Sequence, residues 1–191
     1  MNEKTLYTYR LYFTGIVTTA IWLLLLWTHY NGGVQSHHLL HREELPAISN
    51  WWSGLLIPAL CWGLLYRVQK RLMQVPQWSA EAPLLLKKSL YGFTAALCYG
   101  ALIALAFTLK IDSVPGYLIL GVLFIALFYP VYRAECVLGF ILGMTVTFGA
   151  FIPTIVAAIF AIPAYLISRI IAPFIKNLFI KYPSQEIPLK K

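Results

Sequence analysis

An all-α integral membrane protein, a polytopic helical bundle of about six transmembrane helices with both termini cytoplasmic, is the fold this sequence predicts. Three observations point there. The 191 residues are 60% hydrophobic and 15% aromatic but only 12% charged, about half the charged share of a water-soluble domain. The charges fall in clusters separated by long charge-free stretches. The formal net charge of +8 comes from Lys and Arg gathered on alternate loops, the bias that orients membrane helices. The same numbers argue against a soluble enzyme, a disordered regulator and a coiled coil. No nucleic-acid partner is expected, because the basic residues are scattered through an apolar chain.

Asp, Glu, Lys and Arg are missing from 11–41, 45–66, 89–109, 113–132 and 136–168. A helix needs roughly 20 apolar residues to cross a bilayer core. The first stretch turns polar from Asn31 onward, which leaves a first span over 11–28. It reads as a retained anchor, being too long for a typical signal core and lacking a clear small-residue cleavage site. The second, third and fourth spans follow over 52–66, 90–109 and 116–132. The final stretch would run about 50 Å as one helix, at roughly 1.5 Å per residue. A break near Phe151-Ile152-Pro153 divides it into spans 136–151 and 153–169, since proline is tolerated in the first turn of a new helix. A single tilted, Pro-kinked helix is the alternative.

Charge favours the break. With six spans and a cytoplasmic N-terminus, the inner side receives Lys4, Arg10, Arg67, Lys70, Arg71, Lys87, Lys88, Arg133, Arg169, Lys176, Lys181, Lys190 and Lys191. Only Arg42 and Lys110 fall outside. A five-span chain would put Arg169 and the four tail lysines on the wrong side. A bacterial inner membrane is the expected location, and the chain is one membrane domain over 1–191.

Several features concern packing. Gly139 and Gly143 form a Gly-x-x-x-Gly pair that allows another backbone to come close. Packing within the chain is the expected use, with a homo-oligomer interface as the alternative. Ala157 and Ala161 offer a second small face. Pro58, Pro130 and Pro163 are expected inside spans, as kinks. The inner loop 67–89, interrupted by Pro76 and Pro83, and the tail 170–191 both read as segments at the lipid headgroups. Arg133 and Glu135, at the inner boundary, read as a local charge pair or a topology signal. Cys61, Cys98 and Cys136 are isolated, so a thiol-redox motif is absent. No internal repeat supports an inverted-repeat transporter, and no ionisable residue occupies a span centre, which disfavours ion-coupled transport.

The candidate chemistry lies in the outer loop 29–51. All four histidines occur there, at His29, His37, His38 and His41. Ser36 can cap a short helix over about 37–44, on which His37, His41 and Glu44 stand at i, i+4 and i+7, on one face. Two imidazoles and a carboxylate suit a transition metal such as zinc or iron. His29 or Asp112 can complete the set, His38 is a weaker ligand, and Glu43 can orient an imidazole. If the metal is catalytic, Glu43 or Glu44 is the proton-transfer group. A solvated interfacial segment accounts for the same histidines without a metal. Asn50 and Trp51 can line a pocket mouth beneath this loop, or merely cap the second helix and join an aromatic belt.

Three functions are compatible with this pattern. One is a metal-dependent membrane enzyme acting on a lipid-like substrate. The second is a channel, carrier or transporter subunit for an uncharged solute, with the His loop as lid or pH-sensitive gate. The third is a noncatalytic scaffold bound to membrane-protein partners. The lipid bilayer is the partner common to all three.

Overall fold

A computed structural model describes residues 2–34, 36–38, 47–76, 79–111, 113–171 and 173. Six helices account for most of them: α1 (Glu3–Tyr30), α2 (Ser53–Met73), α3 (Glu81–Thr108), α4 (Val114–Ile125), α5 (Ala134–Phe148) and α6 (Phe151–Leu166). A π-helical turn, Ile167–Ile171, continues α6. Among the described residues the architecture is all-helical apart from one short strand pair between α1 and α2. There β1 (Ser36–His38) lies antiparallel to β2 (Ala47–Ser49), and a 3-10 turn, Asn50–Trp52, leads into α2. The expected helix over 37–44 is therefore not formed at its start. An isolated helical turn is marginal without packing, whereas the strand pairing gives the backbone donors and acceptors partners.

Each helix runs antiparallel to the one before it. Trp22 of α1 meets Trp51, just before α2, while Tyr7 near the start of α1 meets Trp62 further along α2. The Tyr99 hydroxyl of α3 donates to the Leu118 carbonyl of α4 at 2.6 Å, and that of Tyr129, beyond α4, donates to Lys88 near the start of α3. Tyr132, before α5, stacks edge-on against Tyr165 at the end of α6 with ring centroids 5.1 Å apart. The chain over 136–168 is thus a hairpin. Its turn falls at Gly149–Ala150, two residues ahead of the expected break. Gly149 adopts φ +67°, the backbone NH of Ala150 donates to the Ser53 hydroxyl at 2.9 Å, and Pro153 sits in the first turn of α6.

This alternation brings the basic residues together. Lys4, Arg10, Arg67, Lys70, Arg71, Lys87, Lys88, Arg133 and Arg169 all lie near helix ends that meet at one end of the bundle. Among the described residues only Lys110 is a cation at the other end. Several helices overrun the expected spans at the charged end: α1 begins at Glu3, α2 continues to Met73 and α3 starts at Glu81. Lys, Arg and Glu are good helix formers, so a helix need not stop where charge begins. By contrast α4 ends at Ile125, and Pro130 lies in the turn beyond it, not inside a helix.

Large apolar side chains cover the outside. Ile16, Leu55, Phe124, Val146 and Ile162 are each about two-thirds or more exposed, while Gly54, Gly92, Gly100, Gly139, Ala104, Ala157 and Cys61 are buried. A water-soluble bundle would not expose so continuous an apolar surface. Inside, small residues at the close approaches sit among buried large ones such as Ile57, Ile103, Leu138 and Met144, as packing in lipid allows. Three helices, Glu3–Tyr30, Glu81–Thr108 and Phe151–Ile171, are long and apolar enough to cross a membrane, and α4 and α5 are apolar but shorter. These properties are those of a membrane protein.

The closest helix contact joins α3 to α5, which run parallel with α4 as the return. A side-chain carbon at Gly100 would lie 2.6 Å from the Phe140 carbonyl oxygen, and one at Gly143 would lie 2.8 Å from the Ala101 nitrogen. At Gly139 it would collide with the Phe93 carbonyl. Gly139 and Gly143 thus serve packing within the chain.

Candidate functional site: an apolar cavity and the outer loop

At the end opposite the basic residues, His29 lies exposed in the last turn of α1, with its ring 5.8 Å from Trp51 and 5.4 Å from Tyr30. Asn50 lines a small pocket of about 140 Å³ with Thr28, Ser53, Thr145 and Gly149. Trp51 is not part of that wall; it packs on Trp22 and His29 instead. The backbones of His37 and His38 pair with Ile48 and Ala47. Extended backbone at 37–38 removes the helical register by which His37, His41 and Glu44 were expected to converge. His41, Glu43, Glu44 and Asp112 lie outside the described residues. Among the described residues no group of three His, Cys, Asp or Glu side chains is placed to hold a metal. The structure therefore brings together His29, Trp51 and the strand carrying His37, and leaves the ligand set unassembled among the residues it describes.

A larger space lies elsewhere. Between α3, α4, α5 and α6 is a cavity of about 320 Å³. Ala95 and Ala96 of α3 and Ala157, Ala161 and Ala164 of α6 leave the room, and Val122, Ile125 and Phe140 complete an almost wholly apolar wall. Tyr91, Tyr129 and Tyr132 stand at its charged end, beside Gly92 and Cys136. Tyr91 is 64% exposed and forms part of the rim. The Ala157–Ala161 face was visible in the sequence as a packing feature. Its use as a cavity wall was not, because the facing residues come from three other helices.

Next to this end sits a buried ionic contact. Arg71 of α2 donates from one Nη2 to the Ser89 hydroxyl and to Glu135 Oε1, both at 2.7 Å. Glu135 is 3% exposed. The carboxylate is therefore paired with Arg71 through Oε1, not with its sequence neighbour Arg133, and this contact offsets part of the cost of burying a charge in α5; Oε2 is buried without a partner. Arg10, 8% exposed, is held differently, with its guanidinium carbon 4.0 Å from the Trp62 ring centroid and close to the rings of Tyr7 and Tyr66. Cation–π attraction stabilises a desolvated cation in such a place. No family model, curated protein or solved structure matches this chain.

Proposed function

We propose that the chain is a six-span protein of a bacterial inner membrane, with cytoplasmic termini, that holds the hydrocarbon chain of a lipid-like ligand between α3, α4, α5 and α6. One observation carries this reading: the 320 Å³ cavity with its apolar wall. That volume lies at the small end of the range for ligand sites and suits a single chain, not a bulky ring system. Left empty, the cavity would forfeit the dispersion contacts of its lining, and in a bilayer the molecules at hand to restore them are acyl chains. The exposed rim at Tyr91 and Ala95 offers a route in from the side.

The test is photo-crosslinking of a diazirine-bearing hexadecanol to the protein in phosphatidylcholine nanodiscs. Crosslinks should map to cavity-lining residues of α3–α6, and Ala161→Phe, which fills the space, should suppress them without unfolding the protein. Crosslinks spread over the outer faces of α1 and α2 and unaffected by Ala161→Phe would sink the proposal.

A second reading concerns the outer loop. Pairing of β1 with β2 returns His37 and His38 to the segment just ahead of Asn50 and Trp51, where the His29 ring packs. On this reading a zinc or iron site would draw on His29, His37, His41 and Glu44, with Glu43 or Glu44 moving protons if the metal acts on the lipid-like substrate. What favours it is only that the strand carrying His37 pairs with the segment leading to Trp51. Metal analysis of the purified protein should show about one metal ion per chain, lost in His37→Ala/His41→Ala. Negligible metal in both proteins would end this reading.

A further inference from the structure

We infer that the cavity selects chains carrying an anionic head, a carboxylate or a phosphate, held at its charged end by Lys87 and Arg169. The inference rests on the acyl-chain reading above and adds the class of ligand. The cavity has two unlike ends. Around Ile119, Val156 and Phe140 it is apolar, and the hydroxyl of Tyr99 is spent on the Leu118 carbonyl. At the other end the wall carries Tyr91, Tyr129 and Tyr132, side chains with an apolar body and a polar tip.

Cations flank this tyrosine end from two sides. The Lys87 ammonium lies 5.8 Å from the ring centroid of Tyr91, which is itself part of the wall. Across the cavity, the Arg169 guanidinium lies 5.7 Å from the Tyr165 ring, and Tyr165 packs on the wall residue Tyr132. Both cations are exposed, so their long side chains can turn from these rings to a head at the rim. Lys88 and Arg133 border the same end; the Lys88 carbonyl accepts from Tyr129, and Arg133 immediately precedes α5. Glu135, the carboxylate nearest this end, is buried and its charge is matched by Arg71 through Oε1, leaving only Oε2 unpartnered, so it does not cancel the cations at the rim. Glu81 opens α3 nearly two turns before Lys87. A ligand whose tail fills the cavity thus meets excess positive charge at its head. A neutral or cationic head gains nothing there, whereas an anion does.

The experiment is competition for crosslinking of the uncharged hexadecanol probe in phosphatidylcholine nanodiscs at alkaline pH. Competitors share one chain and differ in head: hexadecanoate, hexadecyl phosphate, hexadecanol and hexadecyltrimethylammonium. A basic residue at headgroup depth is worth roughly fivefold in affinity. Hexadecanoate and hexadecyl phosphate should therefore compete at least about tenfold more tightly than hexadecanol, and the order of the two anions identifies the natural head as carboxylate or phosphate. In Lys87→Gln/Arg169→Gln the advantage should shrink to about twofold or less while hexadecanol competes as before. Lys87→Arg/Arg169→Lys, which keeps the charges, should retain it. Equal competition by all four heads in the native chain would overturn the inference and leave the cavity reading standing. Loss of cavity crosslinks altogether would overturn both.

Discussion

Replacing a single glycine by alanine separates the close α3–α5 contact from the rest of the bundle. Gly63 and Gly143 both lie inside helices, so at either site alanine removes backbone freedom from the unfolded chain and should stabilise by about 0.5–1 kcal/mol. Around Gly63 nothing lies within 4 Å of the added carbon, and that gain should be realised in full. At Gly143 the added carbon would collide with the Leu97 carbonyl oxygen, 2.8 Å from the Ala101 nitrogen. Both obstacles are backbone, so no side chain can swing away and α3 must move. Overpacking of this kind costs typically 1–3 kcal/mol, and rigid obstacles put Gly143→Ala at the upper end. The two variants should therefore differ by about 3 kcal/mol, in opposite directions from the native chain. Thermal unfolding in one detergent, followed by loss of helical signal, would resolve them as a raised midpoint for Gly63→Ala and a clearly lowered one for Gly143→Ala. Equal midpoints would refute the reasoning, since they would mean that α3 and α5 are not in backbone contact at Gly143.

Three further outcomes follow from contacts described above. Arg71→Met should destabilise by about 3 kcal/mol, because it strands the buried Glu135 carboxylate, and Arg71→Met/Glu135→Met should recover most of that loss; equal instability of single and double variants by unfolding would contradict the pairing. Gly149→Ala should cost about 1–3 kcal/mol from its left-handed backbone, with an added part from collision with Asn50 that Asn50→Ala relieves; a double-mutant cycle measures the coupling, and additivity would rule the collision out. In a chain lacking its three cysteines, Lys4→Cys should react with a membrane-impermeant maleimide only from the cytoplasmic face and Lys110→Cys only from the opposite one, and labelling of both from the same face would refute the six-span topology.

Helix placement was largely legible because it depends on local chemistry. Five charge-free runs, the last divided near Pro153, located the six helices of the described residues, and the polar stretch after Thr28 ended α1 near where it does end, at Tyr30. The break in the last run was readable from Pro153, although Gly149 makes the turn. What escaped was set by long-range pairing. Glu135 looked like a partner for Arg133, two residues away, because nothing local announces a guanidinium from α2. The strand at Ser36–His38 depends on Ala47–Ser49, and a capping serine before two histidines reads equally well as a helix start. The cavity escaped for a related reason: an alanine that leaves room and an alanine that lets helices touch look the same until the neighbouring helices are in place. Arg10 was counted only as a topology signal, yet it is buried among three aromatic rings.

The parallel pairing of α3 with α5 bears on how the chain is built. Synthesis proceeds from the N-terminus, so α3 emerges before α4 and α5. Until α5 has formed, the face of α3 at Phe93, Leu97 and Gly100 lacks the partner glycines Gly139 and Gly143 that pack against it. The first four helices are therefore a provisional assembly, and α5 is the wedge that locks it. A chain released before Ala134 should be more open to proteolysis than one released after the α5–α6 turn, which already holds its central pair.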